Sequence, residues 1–177
     1  MAELEVHVAH ETHAGDAFAK GVSVMVAIIG VVLAVVTIAS HRAHTAAVIH
    51  RTEANDQWAY YQAKKTREHL TDIASQLALT LTAADPQKAR ALASRYASDR
   101  DRYADQAKAI EQGAQDRQSA SEREERRGLR LDVGEGFLEL GLVLSSLYFL
   151  SKRKLFPALG GGAAIVGLLV SATNWLA

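Results

Sequence analysis

Residues Gly21 to Ser40 read GVSVMVAIIGVVLAVVTIAS, without one charged side chain. A helix of that length extends about 30 Å, the thickness of the hydrocarbon core of a bilayer. The residues before it, 1–20, form a polar tail. They carry Glu3, Glu5, Glu11 and Asp16 against a single basic residue, Lys20. An acidic tail, together with a long run rich in β-branched residues, favours a retained anchor over the short apolar region of a cleaved signal peptide. The first element is therefore read as a transmembrane helix over residues 21–40.

Two more spans follow from the same reading. Residues 131–150 contain the run VGEGFLELGLVLSSLYFL, beginning at Val133. Residues 157–176 open on Pro157, which suits the first turn of a helix because its missing N–H would have no partner there. They close near Asn174 and Trp175, and an indole favours the membrane interface. Between these spans, residues 151–156 form a basic loop with room only for a tight turn, so spans two and three are antiparallel neighbours.

The totals agree with a helical membrane chain. The sequence holds two prolines and no cysteine in 177 residues, and its formal net charge is zero. The absence of cysteine excludes disulfides, thiolate metal sites and thiol nucleophiles. Balanced charge argues against nucleic acid, which favours a basic face. No strand-like alternation of useful length occurs.

Residues 41–130 are crowded with helix formers and charges. The break falls at residues 83–86, Ala-Ala-Asp-Pro, where Asp85 is a good N-cap and Pro86 a good first helical residue. The two arms, His41 to Ala83 and Pro86 to Arg130, would each extend roughly 65 Å. Equal arms let the chain leave the bilayer, turn once and return beside its exit. Folding about Asp85 sets Leu77 near Leu92, Ile73 near Tyr96 and Tyr61 near Ile110. With Leu70 and Leu81, and with Ala89, Asp99, Tyr103, Gln106 and Gly113 on the second arm, these positions form an antiparallel coiled-coil seam. The seam is thin. Long solvated helices with so few apolar contacts are marginal alone, which points to a second copy or a protein partner.

Orientation is read from the short loop. Lys152, Arg153 and Lys154 place it, and with it the N-terminus, on the cytoplasmic side; the hairpin is then periplasmic. Arginines 42, 51, 117, 123, 126, 127 and 130 at the hairpin's base oppose this, in a segment of about 90 residues that the charge rule governs weakly.

Several polar groups are candidates for function. Glu135 and Glu139 share one face of the second span, where an ionised carboxylate must meet protein, water or a proton. They are a candidate intramembrane polar site, either a cation or proton path or a hydrogen-bonded helix contact. Gly141 and Ser145, with Gly160, Gly161, Gly162 and Gly167, permit close helix packing. His7, His10 and His13 precede the first span, while His41, His44 and His50 follow it, so the two clusters cannot form one metal site. Neither a metal nor a cofactor is expected. Lys64, Lys65 and Arg67 beside Trp58, Tyr60 and Tyr61 read as a helix face packed on a partner helix rather than a nucleic-acid platform. The run Arg117 to Arg130 alternates Arg with Glu at spacings that allow ion pairs along one helix. No catalytic triad, phosphate loop or zinc-protease motif is present.

Asn55, Trp58, Tyr61 and Gln62 fall on one helical face, a mixed aromatic and amide surface suited to a specific neighbour. That neighbour is expected at Ala109 to Gly113 of the second arm, or on another subunit. The segment that holds them, NDQWAYYQAKK from Asn55 to Lys65, resembles the hallmark segment of an uncharacterised family of small bacterial membrane proteins, a domain of unknown function. The layout is similar too: a first span, a charged helical middle, Leu144-Ser145-Ser146 in a second span, and a basic step into a third. The resemblance implies a bacterial membrane location, no established activity and no catalytic residues; the acidic tail does not match the family pattern.

The expectation is an all-α membrane protein of the bacterial inner membrane. It has three transmembrane helices and a long antiparallel coiled-coil hairpin between the first and second. It acts without catalysis, as a structural or interaction protein that self-associates or docks partners. The alternative is a small oligomeric cation or proton channel using Glu135 and Glu139.

Overall fold

A computed structural model describes residues 13–81 and 85–173, with the side chains of residues 13–16 and 81 left out. The readings placed on His7, His10, Ala83, Ala84, Asn174 and Trp175, and on the side chains of His13 and Leu81, lie outside the described residues. Three helices make up the rest: α1 over His13–Leu81, α2 over Pro86–Ser151 and α3 over Leu155–Ala172. No strand occurs among the described residues. Each helix contains a stretch long and apolar enough to cross a membrane, a set compatible with a multi-pass membrane protein.

The placement of proline explains why two of these helices are so long. Both prolines stand in first turns, Pro86 opening α2 and Pro157 near the start of α3, so no helix interior loses a hydrogen bond to a proline. Asp85 caps α2, its side-chain Oδ1 accepting from the Lys88 amide at 3.2 Å and its carbonyl from the Ala89 amide at 3.0 Å.

Element boundaries differ from expectation in two places. Residues 13–20, expected as tail, are helical and continuous with the first span. The basic loop expected over 151–156 shrinks to Lys152–Lys154, and α3 begins at Leu155 rather than Pro157. The turn is tight because Lys152 adopts the left-handed conformation (φ 57°), and its amide donates to the Tyr148 carbonyl at 2.8 Å.

The chain divides into two compact units. The first comprises α1 up to Ala43, α2 from Arg126 onward, and α3. Its core gathers Ile29, Val36 and Ala43 from α1, Leu131 and Leu138 from α2, and Ala164 from α3. On α1 the buried positions Val22, Ile29, Val36 and Ala43 recur every seven residues, a single stripe facing inward. The α2–α3 contact is closer. A Cβ added at Gly141 would lie 2.7 Å from the Gly160 carbonyl oxygen, and one at Gly167 would lie 2.6 Å from that of Gly134. Only glycine admits such an approach of two backbones. The small residues singled out in the sequence divide here: Gly141, Ser145, Gly160 and Gly167 are buried, whereas Gly162 faces open space.

The second unit spans His44–Glu125, one stretch of α1 and one of α2. Cross-helix contacts join Ala47 to Ser121, Glu53 to Arg117, Lys64 to Gln106, Asp72 to Arg100 and Ser75 to Ala93. As one number rises the other falls, so the two stretches run in opposite directions. The buried residues are small: Ala47, Ala54 and Ala78 on α1, and Ala89, Ala93, Ala107, Ala114 and Ser121 on α2.

This corrects the expected seam. Leu70 and Ile73 are each 60% exposed, Leu77 is 50% exposed and Leu92 is 40% exposed. On α2 the true seam sits one residue further on, at 93, 107, 114 and 121. Alanine wins because it lets two helices approach more closely than leucine does, so that backbone and Cβ atoms supply the dispersion contacts. The arginine run also differs from expectation. Its Arg117 pairs with Glu53 at 2.7 Å and its Glu125 with Arg51 at 2.6 Å, both across to α1 rather than along α2. These half-exposed pairs contribute about 0.2–1 kcal/mol each.

Candidate functional site

Two polar regions stand out, one in each unit. In the first unit, Thr37 and Ser40 lie one turn apart on α1, and Asp132 and Glu135 one turn apart on α2. The Thr37 hydroxyl donates to Glu135 Oε1 at 2.6 Å, and the Ser40 hydroxyl donates to Asp132. Both are charge-assisted bonds when the carboxyl groups are ionised, and such bonds are short and strong. Ser40 is buried and Glu135 half-buried. The arrangement ties α1 to α2 and supplies the protein contact that an intramembrane carboxylate requires.

Glu139 is placed differently. It is exposed, and among the described residues no hydrogen bond or ion pair engages it. Glu135 and Glu139 are therefore not brought together as one site within the chain. Beside them, an apolar groove of 460 Å³ runs between α1 and α3, lined by Met25, Ile29, Val32, Leu138, Gly161 and Ile165 among others. Its walls offer nothing to hold a metal or a charged cofactor.

In the second unit, Asn55 and Gln62 are exposed, while Trp58 and Tyr61 are half-buried. The two rings meet edge to face, with centroids 5.6 Å apart. Asn55 and Trp58 line a cavity of 260 Å³ with Arg51, Gln118, Ser121 and Glu122. Trp58 thus shares its surroundings with residues further along α2 than the expected Ala109 to Gly113. The neighbouring lysines are engaged within the unit. Lys64 Nζ donates to Gln106 at 2.8 Å and sits 5.1 Å from the Tyr60 ring centroid and 5.6 Å from that of Tyr103. Lys65 pairs with Glu68 at 2.7 Å, a hydrogen bond that holds its ammonium above the ordinary lysine range. His50 lies 3.3 Å from Glu53. Among the described residues no three histidine or carboxylate side chains gather as a metal site would need.

Thr37 and Ser40 were missed as partners of the acidic residues. Nothing local marks them, since the Thr37–Glu135 pair is separated by 98 residues in sequence.

An all-helical chain with three apolar helices, internally bonded carboxylates and a small-residue helix pair defines a class: helical proteins built to cross a membrane more than once. Within that class the assignment is specific. The chain belongs to the family described as Domain of unknown function (DUF4337), whose profile matches residues 18–177. No curated protein and no solved structure matches it.

Proposed function

We propose that this is a non-enzymatic, multi-pass protein of a bacterial inner membrane that self-associates or docks protein partners through its hairpin, residues 41–130, an antiparallel coiled coil. In this reading the N-terminus and the Lys152–Lys154 turn are cytoplasmic and the hairpin is periplasmic. One observation carries the proposal. The helix pair of His44–Glu125 buries only small side chains and leaves Leu70, Ile73, Leu77 and Leu92 exposed. A solvated helix pair gains nothing from displaying large apolar side chains unless another surface covers them. Asn55 and Gln62, exposed beside Trp58 and Tyr61, add amide groups that fit a specific neighbour.

The experiment is a mass measurement. The full chain, extracted in mild detergent, is expected to show a protein mass above the 19.1 kDa of one copy. It should also crosslink to itself or to a defined partner in native membranes. A single-copy mass at all concentrations, with no crosslinked species, overturns the reading.

A second reading rests on Glu139, an exposed carboxylate in an apolar stretch. In an oligomer, copies of Glu139 would line a cation or proton path, with Glu135 behind them held by Thr37. Liposomes containing the protein should then pass protons or monovalent cations, and Glu139→Gln should lower the flux about tenfold or more. No flux from the wild-type protein removes this reading.

A further inference from the structure

On α1 the exposed residues Ala59, Ala63, Thr66, Leu70, Ile73, Leu77 and Thr80 follow one another at alternating spacings of four and three. That is the a/d repeat of a coiled-coil seam. The stripe carries no charge, although the helix around it is dense with charges. It lies opposite the face that packs on α2, where Ala54, Tyr61, Glu68 and Ser75 recur every seven residues, buried or half-buried. The hydroxyls of Thr66 and Thr80 donate to the carbonyls of Gln62 and Gln76, at 2.9 and 2.8 Å. Covering these threonines leaves no hydroxyl unsatisfied, so their burial carries little desolvation penalty.

We infer that this stripe is a second seam, and that its occupant is the same stripe of a second copy, parallel and in register. The inference rests on the interaction reading above and names its partner and surface.

Three features select that occupant. First, α1 is one continuous helix that carries both the apolar stretch and the stripe, so copies sharing a membrane orientation present their stripes in the same direction. A parallel, self-complementary contact closes as a dimer. Second, the flanking residues fit. In a parallel pair each g position faces the e position of the next heptad on its partner. Here Asn55 would face Tyr60, Gln62 would face Arg67 and His69 would face Ala74. No pair sets like charges together, and the amide of Gln62 accepts from a guanidinium. Third, the stripe ends where the next a position toward the N-terminus is Asp56. Two opposed carboxylates there would repel, which confines the contact to about 33 Å of helix.

The chain has no cysteine, so single cysteines report cleanly. Ile73→Cys and Leu70→Cys in the full-length protein, oxidised in native membranes, are expected to form dimers through more than half of the chains. Arg95→Cys, exposed on α2, should form few. The triple variant Leu70→Ser, Ile73→Ser, Leu77→Ser should raise the dimer dissociation constant at least 100-fold with helix content unchanged, because these side chains lie outside the intramolecular seam. A multimeric mass with no crosslink at 70 or 73 overturns the inference and leaves the interaction reading standing. Crosslinking only between a Leu70→Cys copy and a Leu77→Cys copy overturns the parallel register. A crosslink to a different protein in place of the dimer overturns the choice of occupant. A single-copy mass with no crosslinked species removes both.

Discussion

Gly141→Leu is expected to destabilise the membrane unit by about 2–3 kcal/mol, the upper end of what overpacking a tight contact costs. The reason is the atom it meets. A Cβ at 141 would lie 2.7 Å from the Gly160 carbonyl oxygen and 3.0 Å from the Ala164 amide nitrogen. Both are backbone atoms on α3, so no rotamer change relieves the clash and the helices must separate. In lipid that separation is costly, because apolar side chains gain nothing by leaving a surrounding that is itself apolar, and packing supplies the attraction. Gly162→Leu is the control, since a Cβ there meets nothing within 4 Å. Unfolding of the detergent-solubilised protein, followed by circular dichroism against added denaturing surfactant, gives the measurement. Equal midpoints for the two variants would show that α2 and α3 are not held at Gly141.

Ala114→Leu should loosen the second unit by about 2 kcal/mol, again by overpacking. Ala114 is fully buried and Ala107 is 1% exposed, so neither has space for three more carbons. Ala109 is exposed two residues after Ala107, and Ala109→Leu is expected to change little. Amide hydrogen exchange resolves this unit from the membrane unit. Amides near residues 107–121 should exchange about 30-fold faster in Ala114→Leu, as a loss of that size implies for local opening. Unchanged protection would mean that the two helices part and rejoin without reference to this seam.

The contrast between alanine and leucine also explains what the sequence hid. Hydropathy and periodicity were enough to find three apolar helices, the Asp85–Pro86 start of α2 and the small residues of spans two and three. They misplaced the seam of the second unit because two seven-residue patterns coexist on α1. One is built from alanine, serine and polar side chains, the other from leucine and isoleucine. A reading that weights apolar size selects the second, whereas close backbone approach selects the first. The candidate polar site was half visible. Glu135 and Glu139 were conspicuous as carboxylates in an apolar run, but their separation into one bonded and one exposed residue depends on Thr37, which is remote in sequence. Asn55 and Trp58 were found as a face, and their cavity partners Gln118 and Glu122 were not, because register along α2 is set by contacts that no local pattern announces.

The spacing of the small residues has a mechanical corollary. On α2, Ala93, Ala107, Ala114 and Ser121 are separated by whole multiples of seven positions. A displacement of α2 along α1 by one heptad, roughly 10 Å, returns small side chains to small side chains. The seam is therefore a ruler with identical graduations, and burial alone barely distinguishes one alignment from the next. The choice falls to the polar groups that act as detents: the Ser121 hydroxyl on the Ala47 carbonyl, the Ser75 hydroxyl on the Ala93 carbonyl, Arg117 on Glu53 and Arg100 on Asp72. Each is worth about 1 kcal/mol. A helix pair of this kind resists being pulled apart far more than it resists sliding.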